Sequence, residues 1–153
     1  MIFLDAYDAE SNFVDFLANS LSDHVDLSIM SDTLILYPVD DFFGEAKNLH
    51  GATYVIDLVI SSEKLDEKNV VIDIGLASEV LKKCIAAYNY KNLDDIQKFK
   101  NIITTTEFMS KVLVDDFIIE LKKLNFNLEN ITSIKATLNE SHIAAASYLK
   151  ILR

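Results

Sequence analysis

Residues that cross-link or interrupt a fold are scarce in this sequence. Its 153 residues include one cysteine, one proline, three glycines and no tryptophan. The lone Cys84 cannot form a disulfide within the chain, which is typical of a reducing compartment. No Gly-, Ser- or Pro-rich linker and no internal repeat marks a boundary, so we expect residues 1–153 to form a single domain.

Positive charge is scarce as well. The chain has 14 Lys and Arg against 24 Asp and Glu, which gives a net charge of −10. Such a chain repels nucleic acid and anionic lipid. No apolar run approaches the roughly 20 residues of a membrane span, and the acidic N-terminal stretch lacks the basic start of a signal peptide. We therefore expect a soluble, cytoplasmic protein that binds neither nucleic acid nor membrane.

The sequence does contain alternating strand-like and helix-like segments. It predicts strands over residues 2–9, 52–61, 69–74, 131–138 and 142–151, helices over residues 12–21, 76–88 and 106–124, and a hairpin over residues 25–38 that turns at Ser31 and Asp32. The polar connection before residue 69 indicates that the second and third of these strands pair antiparallel. This order predicts the α+β class, with helices stacked on one face of an antiparallel sheet and a helix and hairpin inserted early.

The two later helices carry apolar stripes at helical spacing. The stripe of the first helix consists of Leu76, Val80, Cys84 and Tyr88. The stripe of the second consists of Leu113, Phe117, Leu121 and Leu124. Thr104 followed by Glu107 fits a capping box at the start of the second helix. The position of Cys84 on a stripe favours a buried structural thiol, because reactive thiols lie in exposed, electropositive surroundings.

Residue spacing alone identifies no active site. The three histidines, His24, His50 and His142, are not spaced as pairs on a helix or strand, and no local cluster supplies the three or four ligands of a zinc site. The sequence also lacks a nucleophile elbow, a phosphate-binding loop and a dinucleotide fingerprint. Composition and motifs by themselves indicate an α+β domain and no particular activity.

Six segments, read in order, resemble the 6-pyruvoyl- and 6-carboxy-tetrahydropterin synthases. That family carries the patterns FDAAH, CxxLHGHxY, VxDFG, LDHxxLND and PTxE, followed by a Glu near the end with a Tyr eight residues on. The corresponding segments are residues 7–11 (YDAES), 46–54 (AKNLHGATY), 71–75 (VIDIG), 88–95 (YNYKNLDD) and 104–107 (TTTE), and Glu140 with Tyr148. With residues 7–11 in that place, residues 14–45 form an insertion. Residues 33–41 (TLILYPVDD) are the alternative for the family's first strand.

The resemblance implies a T-fold, in which a four-stranded antiparallel sheet carries two helices on one face. Members of the family close their sheets into barrels by forming trimers and often stack these into hexamers, which also removes unpaired edge strands. It therefore implies a homo-oligomer, trimer-based or hexameric, with ligand pockets between subunits.

The zinc ligands of the family are mostly replaced. The three ligand positions correspond to Ser11, His50 and Ala52, so His50 is the only one retained. The alternative first strand contains no His either. A single imidazole does not hold catalytic zinc, which takes three protein ligands. We therefore expect no zinc, and no other cofactor.

The proton-transferring residues of the family are replaced too. Its Cys corresponds to Ala46, and the Asp-His pair that activates the Cys corresponds to Asn89 and Tyr90. Alanine has no ionisable group, and a tyrosine with a reference pKa near ~10 is poorly suited to proton transfer at neutral pH. The joint loss argues against synthase activity, and no catalytic residue is assigned.

The ring-binding residues of the family are retained. Its closing Glu corresponds to Glu140, and a carboxylate accepts two parallel N–H bonds from a planar donor pair. Thr105, Thr106 and Glu107 correspond to the PTxE turn, whose backbone groups complete the contacts in the family. The resemblance thus implies that these four residues bind a pterin- or purine-like ring.

Each of these motif positions also has a purely structural explanation. Glu140 could be a solvated residue of the turn at residues 139–141, and Glu107 could serve as a helix cap. Residues 50–51 could form only a strand-entry turn, in which glycine supplies an unusual backbone angle. Asp73 could order backbone rather than contact a ligand.

Three hypotheses about function follow. In the first, the chain is a synthase-like protein that keeps a ring pocket held by Glu140, without zinc and without synthase activity. In the second, it is a structural or regulatory subunit that uses the T-fold only for assembly. In the third, it is an active synthase whose metal is held by displaced ligands such as His24 or His142.

Overall fold

The computed structural model describes residues 25–32 and 52–153, and the following account concerns those residues. They form four strands and two α-helices. The strands are β1 (Val25–Asp32), β2 (Val55–Ser62), β3 (Ile131–Asn139) and β4 (Ala145–Ile151), and the helices are α1 (Ile74–Ala86) and α2 (Thr106–Lys123). Two short 3-10 turns, Leu93–Asp95 and Gln97–Phe99, lie between the helices. The predicted α+β class is confirmed.

The four strands form one antiparallel sheet in the order β1-β2-β3-β4. The inward-facing positions of the two central strands are apolar and fully buried. They are Ile56, Leu58 and Ile60 in β2 and Ile134, Ala136 and Leu138 in β3. The register pairs them directly, with Ile56 opposite Leu138 and Ile60 opposite Ile134. Buried and less buried side chains therefore alternate along the two central strands, and the sheet has one apolar face, against which the helices pack.

Both helices bury most of the stripe that their sequences predict, although Leu76 is only partly buried and Tyr88 lies beyond the end of α1. In α1 the buried residues include Val80, Leu81, Cys84 and Ile85, and in α2 they include Leu113, Phe117, Ile118 and Leu121. Cys84 is buried, as expected of a structural thiol. Leu124 is 54% exposed, which corrects its assignment to the stripe, because it is the C-terminal cap residue of α2 and no longer faces the core.

Residues 69–74 do not form the predicted strand. Asp66 closes a turn with Val70, and Asn69 adopts a positive φ of 61°. The Asp73 carboxylate then accepts a hydrogen bond of 2.8 Å from the backbone N–H of Leu76 and so begins α1. A turn and a helix cap thus override the strand preference of the β-branched residues, and Asp73 has the backbone-ordering role.

The turn predicted at Ser31 and Asp32 within the hairpin of residues 25–38 is also wrong, and residues 33–38 lie outside the described residues. Ser31 and Asp32 do not turn the chain but continue β1, where Asp32 pairs with Val55. β2 therefore lies between β1 and β3, and its predicted pairing with residues 69–74 does not occur. The segment 25–32 belongs to the main sheet rather than to an insertion. The strand predicted at residues 2–9 and the helix predicted at 12–21 lie outside the described residues.

The cap of α2 lies one residue later than predicted. Thr105, not Thr104, accepts the hydrogen bond from the backbone N–H of Phe108, at 3.2 Å. Glu107 is then the second helical residue, one position too early to close a capping box. Its explanation as a helix cap is therefore not supported. No helix of the described residues is long and apolar enough to cross a membrane.

Candidate functional site

The predicted ligand residues meet at one end of the sheet, where β2 begins and β3 ends. Val55 and Asn139 are paired there, so Tyr54 and Glu140 each lie one residue beyond the last pair. The side-chain amide of Asn139 donates to the backbone oxygen of Val55 at 3.1 Å and to a carboxylate oxygen of Asp57 at 2.9 Å. These bonds fix the two strand ends and, with them, the start of the segment that carries Glu140.

A chain of hydrogen bonds joins three elements at this end of the sheet. The Tyr54 hydroxyl and the Thr106 Oγ1 are 3.0 Å apart. Thr106 donates in turn to Oε2 of Glu140, at 3.4 Å. Tyr54 precedes β2, Thr106 opens α2 and Glu140 follows β3, so the cluster depends on the packing of the whole domain. We call these three residues the Tyr54–Thr106–Glu140 cluster.

The N-terminus of α2 supplies the second part of the site. Thr105 caps the helix, Thr106 is its first residue, and Glu107 lies in its first turn with an exposed side chain. The N-terminal end of a helix carries a partial positive charge and leaves backbone N–H groups without helical partners. Negative charge is therefore favourable at this position, and the Glu140 carboxylate is placed there by its bond to Thr106.

The turn after β3 holds Glu140 in an exposed position. The backbone N–H groups of Glu140 and Ser141 both donate to the carbonyl oxygen of Ala144, at 3.0 and 3.1 Å. The turn is thus ordered, while the Glu140 side chain faces solvent apart from its contact with Thr106. Glu140 is therefore neither a freely solvated turn residue nor a buried one, and its carboxylate stays accessible to a ligand.

Tyr54 is buried beneath this accessible carboxylate, with 3% of its surface exposed. Burial raises the pKa of its hydroxyl above 10.0, and the negative charges of Glu140 and Glu107 raise it further, against the opposing effect of the hydrogen bond to Thr106. Tyr54 therefore keeps its proton at neutral pH, so the site offers an anionic acceptor supported by neutral hydroxyl donors.

Such an arrangement is suited to binding a planar group with adjacent N–H donors. The structure joins two of the four predicted ligand residues, Thr106 and Glu140, directly. Glu107 lies close enough to act on the Tyr54 hydroxyl through its charge, and Thr105 uses its hydroxyl as the helix cap. Tyr54 was not predicted as a site residue, although it is the final residue of the AKNLHGATY segment that signals the resemblance.

The described residues do not fit a zinc site. Ala52, one of the three positions that correspond to family ligands, is a buried methyl group, while Ser11 and His50 lie outside the described residues. Within residues 25–32 and 52–153, no group of three or more His, Cys, Asp or Glu side chains is placed to hold a metal ion. His142 is exposed in the turn after β3.

The two positions that correspond to the family's proton relay offer no acid–base pair. Tyr90 follows α1 with a positive φ of 55°, and 77% of its surface is exposed. The side-chain oxygen of Asn89 is buried without a hydrogen-bond partner. An amide does not ionise, so Asn89 cannot supply the acid or base that the resemblance implies at its position.

A second polar cluster lies on the outer part of the helical layer. The Tyr88 hydroxyl donates to Asp116, and the Lys98 ammonium donates to the same carboxylate at 2.7 and 2.8 Å and to the Tyr88 oxygen at 2.8 Å. Burial and the bond to Asp116 raise the pKa of Tyr88. Both oxygens of the Asp116 carboxylate accept hydrogen bonds within this cluster. The cluster ties the segment between the helices to α2, so it has a structural role.

The opposite end of the sheet carries a groove of about 750 Å³. Its lining includes Lys64, Val71, Leu76, Phe126 and Asn130. Two of its carboxylates, those of Asp66 and Asp73, accept backbone N–H bonds from their own loops and so stabilise local structure. Ser62 likewise donates to the backbone oxygens of Lys64 and Asn130. No predicted site residue lies in this groove, which leaves the Tyr54–Thr106–Glu140 cluster as the candidate site.

Comparisons with known proteins agree with this architecture. The sequence profile described as 6-pyruvoyl tetrahydropterin synthase matches residues 23–150. A 6-pyruvoyl tetrahydrobiopterin synthase from Dictyostelium discoideum is 29% identical over 103 residues, which cover 66% of this chain and 76% of that protein. Residues 7–11, which resemble the family's first motif, fall outside the matched segment.

Solved structures of the same group share the fold. The 6-pyruvoyl tetrahydropterin synthase of Caenorhabditis elegans superposes with a TM-score of 0.69 at 18% identity, covering 83% of this chain and 96% of that one. The 6-pyruvoyltetrahydropterin synthase of Plasmodium vivax gives a TM-score of 0.69 at 13% identity, covering 84% and 99%. At this level of identity the likeness concerns the fold, and the implied T-fold is confirmed.

Proposed function

Because the chain belongs to the 6-pyruvoyl tetrahydropterin synthase family, we propose that it binds a pterin- or purine-type ring at the Tyr54–Thr106–Glu140 cluster. Glu140 is the anchor, and its carboxylate accepts N–H bonds from the edge of the ring. The backbone at Thr105, Thr106 and Glu107 completes the site. The observation that carries this proposal is the bond from Thr106 to Glu140, which joins two predicted ligand residues that lie 34 positions apart in the sequence.

We propose further that this binding site works without the zinc-dependent lyase reaction of the family. In support, Ala52 offers no ligand atom, and Asn89 and Tyr90 replace the acid–base pair that the resemblance implies. Ala46 likewise replaces the family's cysteine. On this proposal the ring is recognised and held in the cytoplasm, and neither zinc nor another cofactor takes part.

The proposal is tested by thermal shift with neopterin and guanine. A ligand at about 100 times its Kd stabilises the folded state by about 2.7 kcal/mol, which corresponds to a rise in Tm of about 5 °C or more for a domain of this size. We expect this rise for the wild type and its loss in Glu140→Ala. Glu79→Ala, which removes an exposed carboxylate from α1, should keep it.

Zinc content, measured on the same purified protein, tests the second half of the proposal. We expect no stoichiometric zinc. Stoichiometric zinc that is lost in His50→Ala would contradict the proposal and favour an active synthase with displaced ligands, for which His24 and His142 are the candidates. Failure of every pterin and purine to raise the Tm would contradict the ring site.

An assembly or regulatory subunit is the second candidate function. It is favoured by the outer side of β4, an edge strand on which Leu149 is 52% and Ile151 is 70% exposed. We propose that the chain forms a homo-oligomer, trimer-based or hexameric, through its sheet edges. Oligomer formation without any ring binding would indicate that assembly alone is the function.

A further inference from the structure

The hydrogen bonds of the Tyr54–Thr106–Glu140 cluster lead to the Glu140 carboxylate. A threonine hydroxyl carries a single proton, although its oxygen accepts as well. An ionised carboxylate cannot donate, so Thr106 must give its proton to Glu140 across the 3.4 Å contact. With the Thr106 proton on Glu140, the 3.0 Å contact between Thr106 and Tyr54 is a bond that Tyr54 donates, and the Tyr54 hydroxyl also interacts directly with the Glu140 carboxylate.

Tyr54 is well suited to be a permanent donor. Its ring is 3% exposed and packs in the hydrophobic core. Burial first, and then the charges of Glu140 and Glu107, raise the pKa of its hydroxyl. The hydroxyl therefore remains protonated throughout the neutral range, while its rigid ring fixes the place from which it donates.

Glu140, in contrast, has little else to hold its side chain. It is exposed, it lies beyond the last residue of β3, and its backbone bonds order only the turn. A free glutamate side chain must lose rotamer freedom when it binds a ligand, and this loss weakens binding. A fixed partner that orders the carboxylate beforehand removes part of this cost.

We propose that Tyr54 is a positioning residue, which acts through Thr106 and through its own contact with Glu140 to orient the Glu140 carboxylate for the ring. Thr106 donates to Oε2, so Oε1 and the second lone pair of Oε2 remain as acceptors for an N–H pair. Tyr54 itself does not touch the ring. This inference rests on the proposed function, because it assigns a role within that same site.

The test uses Tyr54→Phe, which keeps the buried ring and removes only the hydroxyl. Loss of one neutral hydrogen bond and of the order it imposes should weaken neopterin binding by about threefold to tenfold. Binding is measured by isothermal titration calorimetry. Thr106→Ser keeps a hydroxyl and should bind within about twofold of the wild type, whereas Thr106→Val should bind as weakly as Tyr54→Phe.

The matched control is Tyr88→Phe. It also removes a hydroxyl that is hydrogen-bonded to a carboxylate, but the partner Asp116 lies about 15 Å farther along α2 than Thr106, at about 1.5 Å per residue. We expect a lower Tm in this variant and unchanged neopterin affinity. An equal loss of affinity in the control would attribute the effect of Tyr54→Phe to stability and overturn the inference.

The double variant Tyr54→Phe, Thr106→Val separates a joint action on Glu140 from two independent contributions. If Tyr54 and Thr106 orient the same carboxylate, the loss of affinity in the double variant is smaller than the sum of the two single losses. Additive losses, or unchanged binding in Tyr54→Phe while Glu140→Ala abolishes binding, would overturn this inference and leave the proposed function intact. Absence of neopterin binding by the wild type would overturn both.

Discussion

Three protonated side chains of this domain lie beside carboxylates. Tyr54 is near Glu140, and Tyr88 and Cys84 are near Asp116. In each case burial is the main cause of a raised pKa, and the adjacent negative charge raises the pKa further. At neutral pH all three therefore donate hydrogen bonds or stay inert, which suits a binding site and a structural core better than general-base catalysis.

Cys84 leads to a prediction about alkaline stability. Burial and the charges of Asp116 and Glu120 raise the pKa of its thiol from 9.0 to about 12. A raised folded-state pKa gives stability that is complete below pH 9 and is lost as the pH rises towards 12. Cys84→Ala lacks this titration, so its free energy of unfolding should fall less steeply than that of the wild type over this range. The two slopes should differ by up to about 1.4 kcal/mol per pH unit.

Urea unfolding between pH 8 and about pH 12 provides the measurement. Val80→Ala is the control, because it also shortens a buried side chain of α1 but removes no titratable group. It should lower the free energy of unfolding equally at every pH. Parallel pH profiles for the wild type and Cys84→Ala would contradict the assignment of a raised thiol pKa.

At the scale of elements, the start of α2 has both a structural and a functional part. Thr105 caps the helix through the backbone N–H of Phe108, and the next residue, Thr106, faces Glu140. Removal of a Thr cap costs about 0.5–2 kcal/mol. We expect Thr105→Ala to lower the free energy of unfolding by that amount in urea denaturation.

Thr105→Ser is the matched control for the cap, because serine keeps a hydroxyl at the same position. It should stay within about 0.5 kcal/mol of the wild type, since Ser and Thr cap helices almost equally well. If Thr105→Ala and Thr105→Ser lower the free energy of unfolding equally, the methyl group of Thr105, and not its hydrogen bond, stabilises the helix start.

The elements that the sequence predicts correctly are those whose pattern is local. Both helices follow from stripes that repeat every three or four residues, and β2 and β3 follow from runs of β-branched residues. The segment at residues 69–74 is also rich in β-branched residues, but the turn at Asp66 and the helix cap at Asp73 decide its conformation. Burial of Ile72 in the core explains its apolar character without a strand.

Contacts between residues far apart in the chain are harder to predict from the sequence. Nothing local indicates that residues 25–32 pair with β2, because the register depends on the whole sheet. The site shows the same limit. Glu140 and Thr106 were predicted from motif positions, but the role of Tyr54 depends on contacts between residues 52 and 34 positions apart in the chain.

At the scale of the whole molecule, the sheet formed by residues 25–32 and 52–153 has β1 and β4 as its outer strands. The outer positions of β4 are exposed and mostly apolar or small: Ala145, Ser147, Leu149 and Ile151. Such an edge can pair with a strand from another chain, and natural monomers usually protect edges with charge or proline. The single proline of the chain is Pro38, far from β4 in the sequence.

The edge of β4 therefore predicts how assembly can be disrupted. Ile151 is 70% exposed, and a lysine at this position would put a charge into any strand pairing or apolar contact there. We expect Ile151→Lys to convert the proposed oligomer into a monomer of 17.3 kDa, measured by light scattering coupled to size exclusion. Its far-UV circular dichroism should stay that of the wild type, because an exposed side chain contributes little to the fold.

The control for this experiment is Ile119→Lys, which places the same charge at a 47% exposed isoleucine on α2. It should remain oligomeric, because it lies on the helical layer and not on a sheet edge. If both variants keep the wild-type mass, β4 is not part of the interface. If Ile151→Lys is monomeric and also loses neopterin binding while Ile119→Lys keeps it, the ring site requires a second subunit, as a pocket between chains would.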